Sequence, residues 1–253
     1  RIMRLLESGA PDDGFNIGGA GTAASGGIGV ATVDAIALQT DGKILVGGNF
    51  DIYNGDASAP NYILRLNPDG SRDTTFNAGG LGASDRVRAI AVQTDGKIII
   101  GGDLLGYNGD LSLSDRILRL NSDGTPDTTF NAGGSGANFA VLAIAIQSNG
   151  RIVVGGQFTS YNGDAGAPDR IIRLNAGGTL DSTFNSTGQG SDGTISALAI
   201  QPNAKILIAG TVSTYNGNAA VPDDILRLHS TNVATTPTPS PTPVITPTPT
   251  PTP

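Results

Sequence analysis

Apolar and polar positions follow one scheme several times along the chain, and it is plainest from Val87 to Asn131. Val87–Gln93 alternates, with Ala89 and Ala91 on one side and Ile90 and Val92 on the other, which predicts a β-strand. Lys97–Gly102 (KIIIGG) is a continuous β-branched run, the pattern of a strand buried on both faces. Arg116–Asn121 (RILRLN) predicts a third strand and Asp127–Asn131 (DTTFN) a short fourth. Thr94-Asp95-Gly96 joins the first pair and Ser122-Asp123-Gly124 the second. Asp-Gly at such spots signals a hairpin, because Gly takes a positive φ at little cost. The equivalent Pro68-Asp69-Gly70 excludes a type I′ turn, since Pro has φ fixed near −65°. A three-residue loop with a Gly bulge is expected instead.

The scheme recurs every 54 residues: Tyr53, Tyr107, Tyr161 and Tyr215 mark the step, as do Gln39, Gln93, Gln147 and Gln201. A fixed period of this size predicts stacked or radial repeats, each unit covering its neighbour's apolar face. The expected divisions are the second half of a unit at 1–16 and a Gly/Ala/Ser-rich connector at 17–32. Units follow at 33–86, 87–140 and 141–194, with a three-stranded terminal copy at 195–230 and a Thr/Pro-rich linker at 231–253. The chain opens on RIMRL, which matches the third strand RILRL, so it reads as cut within a repeat. The last copy departs from the scheme: Asn203-Ala204 replaces Asp-Gly, Ala209 replaces Gly, and Asn218 replaces Asp.

Counting through the three-residue loop sets the register. If Asn67 pairs with Ser71, Arg65 stands opposite Asp73; likewise Arg119 opposite Asp127, Arg173 opposite Asp181, and Arg4 opposite Asp12. Cross-strand ion pairs are expected there, with Asp12–Arg227 a competing arrangement for the first. As exposed pairs, each would contribute about 0–1 kcal/mol and serve register more than stability.

Four antiparallel strands per unit, apolar on both faces, predict the blades of an all-β β-propeller, with a β-solenoid as rival. About four units is few for a closed ring, so a partial or open array is expected. Helix is nearly excluded: Glu7 is the only Glu, Gly reaches 37, and no stretch holds a 3.6-residue period. With no Cys, neither a disulfide framework nor a thiolate metal site is possible. A net charge of −7 without a basic patch argues against nucleic acid as a partner. No apolar run has the length of a membrane span, so membrane insertion is not expected.

The stretch QTDGKILVGGNF (39–50) followed by RLNPDGSRDTTFN (65–77) resembles the delta-60 repeat, and the likeness extends over most of 1–229. The resemblance implies a β-propeller-like fold and a place in large bacterial surface or secreted proteins. It implies no activity, because no general biochemical function is assigned to that family.

Alternating strand directions put both Asp-Gly turns of a unit on one face and the long connections on the other. Each long loop holds Tyr-Asn-Gly and then Asp or Asn: Tyr53, Asn54, Asp56; Tyr107, Asn108, Asp110; Tyr161, Asn162, Asp164; Tyr215, Asn216. Such a set suits a sugar, with a ring to stack on and hydrogen-bonding groups beside it. The same residues also describe a tight turn with a Tyr plug, and recurrence in every copy, as a folding motif shows, favours that structural role. Calcium at Asn67-Pro68-Asp69-Gly70 with Asp73 is a weaker candidate, because the full acidic pattern and terminal Glu are missing. The single histidine, His229, excludes a multi-histidine metal centre and leaves little basis for catalysis, so no enzyme and no cofactor are expected.

From Thr235 the composition changes: eight of the 15 prolines and no charge. Such a segment favours an extended polyproline conformation. The expectation is a noncatalytic extracellular or cell-surface binding or adhesion module on a spacer. Its partner would be a polysaccharide or a surface protein. The alternative is a structural repeat that self-associates through open sheet edges, with a fragment of a propeller hydrolase third.

Overall fold

The computed structural model describes residues 2–25 and 30–228. Arg1, His229 and the Thr/Pro-rich segment lie outside the described residues. The elements are all β. In chain order they are β1 (Thr22–Ala23), β2 (Thr32–Leu38), β3 (Ile44–Asn49), β4 (Ile52–Tyr53) and β5 (Ile63–Leu66). The second unit holds β6 (Val87–Val92), β7 (Ile98–Gly102) and β8 (Ile117–Leu120). The third holds β9 (Val141–Ile146), β10 (Ile152–Gly156) and β11 (Ile171–Leu174), and the last β12 (Ile195–Ile200), β13 (Ile206–Gly210) and β14 (Ile225–Leu228).

Each unit forms one antiparallel three-stranded sheet with the β-branched run in the middle: β2-β3-β5, β6-β7-β8, β9-β10-β11 and β12-β13-β14. In the second unit Ile99 stands opposite Ala91 on one side and Arg119 on the other. The Asp-Gly loops close as three-residue turns. Asn67 N donates to Ser71 O at 2.9 Å, and Gly70 takes a φ of 84°.

The expected fourth strand is not a strand. The chain touches the sheet just before DTTFN, through the bridge Leu120↔Pro126 in the second unit. Asp127 N donates to Arg119 O at 2.8 Å, and the segment then turns away. The Asp side chain causes this. Asp127 Oδ1 accepts from Thr129 N at 3.0 Å and from its Oγ1 at 2.6 Å, and Asn131 follows with a φ of 49°. This local bonding offers the backbone an alternative to the ladder. The blades therefore have three strands and an outer turn instead of four strands.

Three of the four core clusters lie between consecutive units, and the fourth covers the side of the first unit that faces Ile2 and Phe15. Leu45 and Ile63 of the first unit pack with Val87, Ile98, Ile100 and Leu118 of the second. Ile99 and Ile117 pack with Val141, Ile152 and Val154 of the third, and Val153 and Ile171 with Ile195, Ile206 and Ile208 of the last. Burying one such side chain stabilises by about 1.5–3 kcal/mol, so each junction is a full core. The middle strand has glycine where the next unit presses closest. A Cβ on Gly101 would stand 2.5 Å from Val141 Cγ1. First strands of successive sheets lie against one another in the order β2, β6, β9, β12, giving an arc of propeller blades. The arc's outward faces expose apolar side chains, Ile36 and Leu38 at one end and Ile225 at the other, beside the charged Asp34 and Arg227.

Candidate functional site

The Tyr-Asn-Gly loops were the sequence's leading candidate, and the structure places them inside the junctions. Tyr53, Tyr107 and Tyr161 are buried, at 1%, 0% and 1% exposure, so no ring face is open for a sugar to stack on. Their hydroxyls donate to turn carbonyls of their own units: Tyr53 to Gly70 at 2.6 Å, Tyr107 to Gly124 at 3.0 Å and Tyr161 to Gly178 at 2.6 Å. This part of the loop therefore reaches the Asp-Gly turn, and does not stand on the opposite face as the strand count implied. Burial pushes the Tyr53 phenol up to about 12 and drives Tyr107, Tyr161 and Tyr215 the same way.

The asparagines join neighbouring units. Asn108 takes a φ of 53° and exchanges two amide hydrogen bonds with Asn77 of the preceding unit, at 2.8 and 2.9 Å. Its Oδ1 also accepts from Gly82 N at 2.9 Å. Asn162 repeats this with Asn131, and Asn54 with Asn16, while Asn216 does so with Asn185. Beside them the connector pairs with the next long loop: β1 with β4, then Ala83 with Tyr107 and Ala137 with Tyr161. Asp56, Asp110 and Asp164 each turn a carboxylate oxygen onto the amide two residues on, at 2.8 Å. Those carboxylates remain exposed, but their Oδ1 atoms shape the loop.

The arginines and aspartates form buried assemblies. Arg119 Nε donates to Asp127 Oδ2 at 2.8 Å, Lys97 Nζ joins the same oxygen at 2.6 Å, and Arg119 Nη1 reaches Ala176 O of the next unit at 2.7 Å. The guanidinium stacks 5.0 Å from the Phe130 ring centroid. Arg65 with Asp73 and Arg173 with Asp181 make the same contact at 2.8 and 2.7 Å. Both members of all three pairs are buried, so they are not the exposed register pins the sequence implied. Arg4 pairs with Asp12 at 2.7 Å but stays 42% exposed at its side chain, and Asp12 does not reach Arg227. Burial alone would raise the pKa of Asp73, Asp127 and Asp181. Cationic neighbours and the Thr hydroxyl and amide outweigh it and hold each carboxyl well below the usual range.

This also corrects the calcium reading. Asp73 faces two cations, Arg65 and Lys43, and Asp69 Oδ1 is taken by Ser71 N and Oγ. Among the described residues no group of three His, Cys, Asp or Glu side chains is placed to hold a metal.

The strand ends opposite the turns differ between units: Asp85, just before β6, corresponds to Phe139 before β9 and Gly193 before β12. Arg86 there bonds Asp34 of the preceding sheet through two nitrogens, and Arg88 pairs with Asp103 at 2.6 Å. Departure from the repeat is the sequence signal for these positions.

Three-stranded sheets stacked through shared cores make this a β-propeller-class array. Residues 39–76, 93–130 and 147–184 match a family model described as "Domain of unknown function (DUF5122) beta-propeller", so the chain carries repeats of a propeller-repeat family. That match does not carry the delta-60 name. No curated protein matches the chain. Among solved structures, the WD40 β-propeller domain of Doa1 is 18% identical with a TM-score of 0.45, over 71% of this chain and 48% of that one. The extracellular domain of the one component system BT4673 from B. thetaiotaomicron is 14% identical with a TM-score of 0.46, over 88% and 24%. PorZ, a surface component of the type-IX secretion system of Porphyromonas gingivalis, is 14% identical with a TM-score of 0.44, over 83% and 28%. The chain thus spans about half or less of the length of these structures.

Proposed function

We propose that the protein is a noncatalytic binding or adhesion module of the bacterial cell surface or exterior, taking a polysaccharide or a surface protein and held on a Thr/Pro-rich spacer. One observation carries this reading. The Tyr, Asn, Arg and Asp side chains repeated in the complete units are bonded within the scaffold, while the face opposite the turns varies from unit to unit and keeps polar and aromatic groups free. A rigid frame with variable positions at its strand ends is the arrangement of a recognition surface. The uncharged Thr/Pro segment suits a protein held off a surface. Binding to an array of bacterial and plant glycans, together with pull-down against surface proteins, tests the reading. Retention of a defined ligand supports it; a folded protein that retains none contradicts it.

A second reading is favoured by the outward faces of the arc. Ile36 and Leu38 at one end and Ala197, Ala199 and Ile225 at the other are exposed, although the same positions are covered inside the array. A structural repeat that stacks copy on copy through these faces would bury them. Light scattering across a concentration series separates the two: mass rising in multiples of the monomer favours stacking.

A further inference from the structure

We infer that the cleft at the strand ends of the β9-β10-β11 sheet, where the chain enters β12, lined by Phe139, Gln157, Thr159, Arg170 and Thr194, is a saccharide subsite selective for a uronic-acid residue. The inference rests on the binding-module reading and gives it a place and a ligand class.

The repeat supplies an internal control. The same backbone is built with Asp85 or Gly193 where Phe139 stands, so the fold does not require an aromatic ring at that position. Phe139 is nevertheless 56% exposed, at the rim of a cleft of about 260 Å³. An exposed Phe that packs no core offers a flat apolar face, the feature missing from the buried tyrosines.

The cleft is open because of small side chains. At the first junction the position of Thr194 is held by Arg86, which reaches across and closes on Asp34. At the third junction Thr194 leaves that space, and Leu142 and Ser196 stand where Asp34 and Arg88 stand at the first. The rim is held in place: Asn138 Oδ1 accepts from Thr159 N at 2.8 Å and from Ser160 N at 3.1 Å, fixing the loop that carries Phe139. A rim already ordered costs less to order on binding.

The charge points to an anionic ring. Arg170 Nη1 donates to Gln157 O, and among the described residues the guanidinium has no carboxylate partner. Its Nε is buried without a hydrogen bond. Arg116, its counterpart, makes the same bond to the Asp103 carbonyl and also keeps a free Nε, but there the Asp103 carboxylate pairs with Arg88 close by. Here the position of Asp103 is Gln157 and that of Arg88 is Leu142, so no such ion pair stands beside Arg170. A lone guanidinium on a protein of net charge −7 is a local positive site that a carboxylate complements with charge-assisted bonds. A uronic-acid pyranose meets all of these features. Its ring lies on Phe139, its carboxylate on the free Arg170 nitrogens, and its hydroxyls on the Gln157 amide and the Thr194 hydroxyl.

Titration calorimetry of the whole chain with short galacturonic-acid oligomers, and with uncharged galactose oligomers of equal length, tests this. The expected result is binding of the acidic oligomer, weakened tenfold or more by Phe139→Ala and by Thr194→Arg, with melting temperatures unchanged. Arg170→Lys should narrow the preference for acidic over neutral oligomers. Acidic oligomers binding equally to wild type, Phe139→Ala and Thr194→Arg would overturn the cleft and leave the module reading standing. Binding of neutral oligomers alone would overturn the uronic-acid assignment. If folded wild type binds neither oligomer nor any glycan or surface protein, both fall together.

Discussion

The second unit and the last contain the same strands but differ in what lies against them. In the second, Arg119 is buried among Asp127, Lys97, Phe130 and a carbonyl from the next unit. In the last, Arg227 is exposed and has no partner among the described residues. Gly101 in the second has Val141 pressed onto it, and Ala209 takes that position in the last. The sheets pair alike in both. The difference teaches that residue choice on these faces is dictated by the neighbour and not by the sheet. Glycine and the Arg–Asp pair are requirements of a junction.

Several experiments sharpen or break that comparison. The largest effect is expected from acid, which reaches three junction carboxylates at once. Asp73, Asp127 and Asp181 have folded pKa values below their unfolded value, which lies near 4. Their contribution is complete above that value and fades as pH falls through the lowered folded value. The melting temperature should be flat from about pH 7 to 5 and drop steeply below about pH 4; a flat profile to pH 2.5 would break the account. Next, Asp127→Ala leaves Arg119 buried without its carboxylate and should cost about 3–5 kcal/mol in denaturant unfolding. Gly101→Ala pushes a methyl into Val141 and should cost about 1–3 kcal/mol. Arg227→Ala, on the bare face, should stay within about 0.5 kcal/mol of wild type. A loss at Arg227 equal to that at Asp127 would mean that the neighbour is not what matters.

Much of the fold was legible before the structure. The alternation in 87–93 and the run IIIGG specified strands and their burial, and Pro68-Asp69-Gly70 specified a three-residue loop by excluding the shorter turn. What failed was DTTFN, read as a strand for its Thr and Phe. The informative feature was Asp-x-Thr, in which the carboxylate takes the amide two residues on and curls the chain. The same spacing occurs at Asp69-Gly70-Ser71 and Asp110-Leu111-Ser112. The candidate site was harder, because Tyr-Asn-Gly-Asp suits a sugar and a tight turn alike, and the sequence does not show which partners the side chains reach. Tyr107 and Asn108 recur because each junction needs a plug and a stitch, contacts made across tens of residues that no local pattern displays. The exposed Phe139 was hidden for the opposite reason: it occurs once.

The claim beneath all of this is that the repeated polar residues join one unit to the next. The most direct measurement is a double-mutant cycle on Asn77→Ala and Asn108→Ala by urea unfolding. The account predicts that each single change destabilises and that the pair couples by about 0.5–3 kcal/mol, because the two amides bond one another across the junction. Single changes that leave stability intact, with no coupling, would contradict it and return Asn108 to the pool of ligand-facing groups.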